Sequence, residues 1–383
     1  MPKETPLSAV LSKIDSGLNL KLSSETVEKI MQAKEPEDLY EHLQNAIKLE
    51  HATIPPYLTA LYSIKSNSNK EVAQIIFSVV RQEMLHMTIA ANVLNALGGE
   101  PKIGDPDFIP TYPGMLPMIE EGPLVGLAPL SMDLVKNVFM RIELPEDPTD
   151  FPHEKPSTLL QSGKPTEQNY RTIGQFYSAI IERLKENPDW IKEDLSRQVV
   201  NPQWFSSGLL FPISNYGDAV RALEIIIDQG EGTEKGENPL DSQGNIAHYY
   251  KFSEIAEGAR LYRNSSGNFV YDESQPIKLD ESCIWELVEN SKAADYEPRS
   301  VPRRMVDQFN YSYTSLLKGL HRTFNGEPNY LNTVMGLMFE LKLQAEKMAE
   351  RKIEPADLEE GVSRIGKVGK YLAPSFEYAP TLN

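Results

Sequence analysis

From Val72 onward, apolar positions recur in alternating steps of four and three: Val72, Ile76, Val79, Ala90, Val93 and Leu97. Such a lane marks the inward face of a long helix. Glu83 and His86 fill the two positions in its middle. Upstream, the lane Leu43, Ile47, Ile54, Tyr57, Leu61 has the same spacing, and Glu50 interrupts it. The pattern predicts an antiparallel helix pair over residues 37–65 and 70–97, joined by an Asn/Ser-rich turn. Gly98-Gly99 followed by Pro101 stops the second helix. Pro55 and Pro56 each remove a backbone donor inside the first, so a kink or loosened turn is expected there.

Around this pair the chain reads as all-α. Residues 1–36 are a polar lead with one short helix near 24–34. Residues 100–130 form an irregular, Pro- and Gly-containing excursion that reads as a lid. A short helix at 131–142 precedes an acidic, proline-rich linker reaching about residue 165. Further helices are expected at 168–186, 215–229, 245–260, 302–324 and 328–350, with a small hairpin after residue 263. The last pair turns at Asn325-Gly326. Residues 37–350 are thus expected to form one helical domain, and 351–383 a tail draped over its surface.

Net charge of −17 argues against nucleic-acid backbones as partners. Cys283 is the only cysteine, which excludes an intrachain disulfide and thiolate metal sites and fits a reducing cytosol. The start lacks the apolar core of a signal peptide, and no apolar run is long enough to span a bilayer. A cytoplasmic protein without a membrane partner is expected.

The interrupted lanes carry the chemistry. A buried, unpaired carboxylate costs several kcal/mol or more, so it is paired or bound to a metal. Residues three apart on a helix point the same way, so Glu83 and His86 can meet one cation together. A Glu from one helix and Glu-x-x-His from the next make half of a carboxylate-bridged di-iron or di-manganese site. For the other half, His248 opens an otherwise apolar lane with Phe252, Ile255 and Ala259. Glu231, flanked by Gly230 and Gly232, is the candidate carboxylate from the preceding helix, with Glu224 and Asp228 as alternatives. Glu182 is the acid in the middle of helix 168–186. The metal candidates are therefore Glu50, Glu83, His86, Glu182, Glu231 and His248, against a metal-free buried polar network. His51, about 100° further round its helix than Glu50, reads as packing or support. Tyr57 and Tyr177 are candidate catalytic residues that, with Tyr62, Phe176 and the lid, would line a water-excluding pocket; ordinary core packing is the alternative.

Several strings resemble a known family: Leu49-Glu-His-Ala-Thr-Ile-Pro-Pro-Tyr-Leu58, Glu83-Met-Leu-His-Met87, Ile173-Gly-Gln-Phe-Tyr177, Gln229-Gly-Glu-Gly232, His248-Tyr-Tyr-Lys-Phe252 and Phe309-Asn-Tyr-Ser-Tyr-Thr-Ser-Leu-Leu317. They are similar to the ferritin-like domain of the iminophenyl-pyruvate dimer synthases of violacein- and rebeccamycin-type pigment pathways, over roughly residues 38–350. The resemblance implies a ferritin-like four-helix bundle with additional helices and long loops, and the six metal ligands above. Those enzymes are much longer, and this chain carries only the ferritin-like portion.

These readings predict a di-iron oxidase or oxygenase using two iron (or manganese) ions. Its partners would be dioxygen and a small, aromatic or amino-acid-derived substrate, with a homo-oligomer left open. The alternatives are iron oxidation, storage or peroxide removal, and a metal-free binding scaffold.

Overall fold

The computed structural model describes residues 21–153, 172–234 and 237–381. Most of the N-terminal lead, and the latter part of the linker before the third long helix, lie outside them.

Strand β1 (Lys21–Leu22) and helix α1 (Ser24–Met31) lead into the predicted pair, α2 (Tyr40–Tyr62) and α3 (Lys70–Leu97). α3 ends as expected: Gly98 takes a left-handed φ of +99°, and the Gly99 N–H bonds Leu94 O at 2.9 Å. The kink expected at Pro55-Pro56 does not break α2, which runs through both. Proline at 56 deprives the Ala52 carbonyl of its helical donor. The Tyr112 hydroxyl replaces it at 2.7 Å.

Tyr112 belongs to the 100–130 excursion, which contributes β2 (Ile119–Glu121), paired with β1. Helix α4 spans 132–142, and its middle, Val135–Phe139, widens into a π-turn. Helices α5 (Ile173–Glu186) and α6 (Tyr216–Glu231) complete the four-helix bundle, and α7 (His248–Glu257) packs on α3, α4 and α6. Gly258, at φ +73°, stops α7 earlier than expected. The chain turns there into a hairpin of β3 (Ala259–Arg263) and β4 (Phe269–Pro276).

Two further helices, α8 (Val301–Phe324) and α9 (Leu331–Ala349), pack together along the outer faces of α2 and α3. The Ser300 hydroxyl caps α8 by accepting from Arg303 N at 3.2 Å. The tail departs from the surface drape expected of it. Phe376 is buried, its ring 5.0 Å from that of Phe309 and 5.1 Å from that of Tyr313. Burying such a ring contributes roughly 1.5–3 kcal/mol, enough to pin an otherwise polar segment. No helix among the described residues is long and apolar enough to cross a membrane.

Candidate metal centre

The inward lanes of α2 and α3 face α5, α6 and α7, so the acids that interrupt them meet in the bundle core. Glu50, Glu83 and His86 are joined there by His248 at the first turn of α7 and by Glu143 just beyond α4. None of the five is more than 9% exposed.

Glu83 occupies the middle. Its Oε1 lies 2.8 Å from His248 Nδ1 and 3.9 Å from His86 Nδ1. On one side His86 Nδ1 is 3.5 Å from Glu50 Oε2; on the other, His248 Nδ1 is 3.3 Å from Glu143 Oε2. The two imidazoles stack with centroids 5.3 Å apart. Glu83, His86 and His248 each offer a ligand atom within 4.8 Å of the others. The arrangement is two carboxylate–imidazole pairs with a shared carboxylate between them.

Neighbouring groups fix the orientation of four of the five, His248 Nε2 being buried without a hydrogen-bond partner among the described residues. Thr53 Oγ1 donates to Glu83 Oε2 at 3.0 Å, and the Tyr177 hydroxyl to Glu50 Oε1 at 2.5 Å. The Tyr57 hydroxyl donates to Glu143 Oε1. His86 Nε2 lies 3.1 Å from Gln229 Oε1, an amide oxygen that only accepts. Nε2 is therefore the nitrogen that donates, which turns Nδ1 towards the carboxylates. Nδ1 and the carboxylate oxygens can stand this close only with a cation or a proton between them.

The electrostatics agree. Burial raises the Glu83 carboxyl well above its ordinary range, and the nearby Glu143 and Glu50 raise it further. Burial also lowers His248 against the pull of Glu143. Glu83 thus lacks compensating positive charge, and a divalent cation would supply it through oxygen and imidazole donors that iron and manganese accept. The donor set fits a carboxylate-bridged metal pair.

Two expected ligands are not in the cluster. Glu182 is exposed, because the apolar lane of α5 takes the inward face and Glu182 falls on the other. Tyr177, on that inward lane, is what α5 sends towards Glu50. Glu231 is buried and lines the cavity beside the cluster, but its Oε1 accepts the Gly174 N–H at 2.8 Å. It closes the N-terminus of α5, where Thr172 and Gln175 form a capping box. Gly174 makes this approach feasible, since a Cβ there would lie 2.6 Å from Glu231 Oε1. Burial pushes the Glu231 carboxyl up to about 7. His248 meets Glu83 and Glu143, so the expected pairing of Glu231 with His248 gives way to these.

Glu143 was not anticipated. The signal was present: Val135, Phe139 and Glu143 form a lane in steps of four, interrupted by an acid as at Glu50. The following prolines and acids gave the residue the look of a linker. The lid expectation also shifts. The cavity at the cluster is walled by residues 142–144 and 172–174 rather than by 100–130. That excursion packs on the opposite face of α2, where Phe108 lies 4.7 Å from the His51 ring. Tyr62 and Phe176 are buried away from the cluster cavity, Tyr62 against a second one.

No curated protein matches the chain. Among solved structures it is similar to a ferritin-like protein from Caulobacter vibrioides, with 23% identity and a TM-score of 0.52, covering 81% of this chain and 95% of that one. This likeness shows a shared fold. The model of the ferritin-like family matches residues 43–257, more than half of the chain and the whole span from Glu50 to His248. The chain belongs to the ferritin-like family.

Proposed function

We propose that the chain is a dinuclear-metal oxidoreductase that uses dioxygen on a small, aromatic or amino-acid-derived metabolite, related to the iminophenyl-pyruvate dimer synthases. The observation that carries this reading is Glu83 standing between the pairs Glu50–His86 and Glu143–His248. Glu50 and His86 would hold one ion, Glu143 and His248 the other, and Glu83 both. Iron bound there supplies electrons for reducing dioxygen.

The protein's own groups prepare the site. Gln229 keeps His86 in the tautomer that presents Nδ1. Burial, with Glu50 beside Tyr177 and Glu143 beside Tyr57, holds both phenols well above their ordinary range. Each phenolic oxygen therefore retains its proton next to a carboxylate, as a proton donor to the site requires. Leu49, Ile142, Leu144 and Ile226 wall the cavity and limit water.

The test is anaerobic loading with Fe(II), then stopped-flow mixing with dioxygen, with and without aromatic amino and imino acids. Two Fe(II) per chain should be oxidised, faster with one of these compounds present. Iron uptake far beyond two per chain, with rates indifferent to every compound, would assign the chain to storage instead. Failure to retain any metal would make it a scaffold.

A further inference from the structure

The α2–α3 pair has a second functional-looking face. The residues next in sequence to Glu50, Glu83 and His86 are His51, Met84 and Met87, and all three line a separate cavity. Its other wall comes from α8, α9 and the tail, including Tyr313, Met335, Met338 and Phe376. Apart from His51, no carboxylate, lysine or arginine contributes to the lining; its polar groups are the His51 ring and the hydroxyls of Tyr62, Thr88 and Tyr313.

His51 is only 4% exposed. Its Nε2 is satisfied by the Tyr313 hydroxyl at 2.8 Å, but its Nδ1 has no hydrogen-bond partner. Leaving a buried polar nitrogen unpaired costs about 1–3 kcal/mol, so such an atom calls for an occupant. The cavity holds about 70 Å³. That exceeds the space of one water but falls below the roughly 150 Å³ of an engineered cavity that takes benzene. Met84, Met335 and Met338 are half-buried, and methionine walls adapt by changing rotamer.

We propose that this cavity binds a small, uncharged, largely apolar molecule carrying one hydrogen-bonding group, which pairs with His51 Nδ1. The apolar wall excludes an ionic ligand, because nothing in it would compensate a buried charge. The single unpaired nitrogen selects a hydroxyl or similar group over a pure hydrocarbon. This site lies across α2 and α3 from the metal cluster and does not rest on the proposed activity.

The experiment uses phenol, with toluene as its isostere lacking the hydroxyl. Each is titrated into the full chain labelled with ¹³C at the methionine methyls and followed by NMR. Phenol should bind saturably, one per chain, with shifts concentrated on Met84, Met87, Met335 and Met338, and more tightly than toluene. M338W should fill the space and abolish both. H51F should weaken phenol about fivefold while leaving toluene unchanged. Non-saturating shifts, shifts that spare these four methionines, or binding that survives M338W would each overturn the proposal. If H51F does not fold, the methionine shifts and M338W decide it.

Discussion

Glu83 Oε1 lies 2.8 Å from His248 Nδ1, joining the second bundle helix to the first turn of α7 in the middle of the core. The same Glu83 oxygen is 3.9 Å from His86 Nδ1, so one carboxylate serves both imidazoles. With Glu50 and Glu143 on the flanks, the core concentrates negative charge that only a cation or bound protons can offset.

This arrangement makes Glu83 unfavourable in the metal-free chain and indispensable in the loaded one. In E83Q, metal content should fall from two per chain to one or none by elemental analysis, with far-UV circular dichroism unchanged. The metal-free variant should melt higher than the metal-free wild type by about 2–4 °C, since the cost of burying an acid beside Glu50 and Glu143 is gone. A lower melting temperature for the metal-free variant would contradict the charge argument.

The tyrosines orient one carboxylate on each side. Y177F removes the donor to Glu50, and Y57F the donor to Glu143. Each should weaken metal affinity about tenfold, the usual range for losing such an orienting hydrogen bond. Isothermal titration with Mn(II) should show one of two binding steps affected in each variant. Equal weakening of both steps by either variant would show that the two halves are not distinct.

Glu231 gives stability a pH dependence of its own. Its carboxyl is raised from 4.5 to about 7 in the folded chain, mainly by burial. The folded state then binds more protons than the unfolded state between these values. Its contribution is fully present below about 4.5 and lost as pH rises through about 7, on the order of 3 kcal/mol in all. Denaturant unfolding of wild type and E231Q from pH 5 to 8 should show the wild type losing stability relative to the variant as pH rises. A constant difference would mean that Glu231 is ionised throughout.

Gln229 is the remaining orienting group. Q229L removes the acceptor of the His86 Nε2 proton and frees the imidazole to adopt the other tautomer. Metal affinity should fall about 10–100-fold, with ¹⁵N shifts of His86 in the metal-free chain reporting the tautomer change. Unchanged shifts would place the control of the tautomer elsewhere.

What was legible in the sequence was whatever periodicity displays. The lanes through Glu50 and Glu83–His86 run on long, regular helices, so an acid in an apolar stripe stands out and its partner helix is adjacent in sequence. His248 was legible for the same reason. Glu231 is marked by its flanking glycines, but its role is to close the α5 N-terminus, a contact between distant segments that spacing does not encode. Glu143 was obscured because the π-turn in α4 and the prolines that follow disguise a helix end as a linker. Glu182 is the acid in the middle of its helix but lies off the apolar lane, and the inward lane supplies Tyr177 instead. Phe376 illustrates the remaining gap, since the scattered apolar residues of the tail follow no period by which to read its burial.

In the proposed centre Glu83 is shared by two metal ions. Anomalous diffraction from crystals of the full chain grown with Fe(II) or Mn(II) tests it most directly. Two anomalous peaks are expected, one beside Glu50 and His86 and one beside Glu143 and His248, with a Glu83 oxygen at roughly 2.0–2.4 Å from each. A single peak, or peaks ligated by Glu231 or Glu182 with Glu83 facing neither, would contradict it.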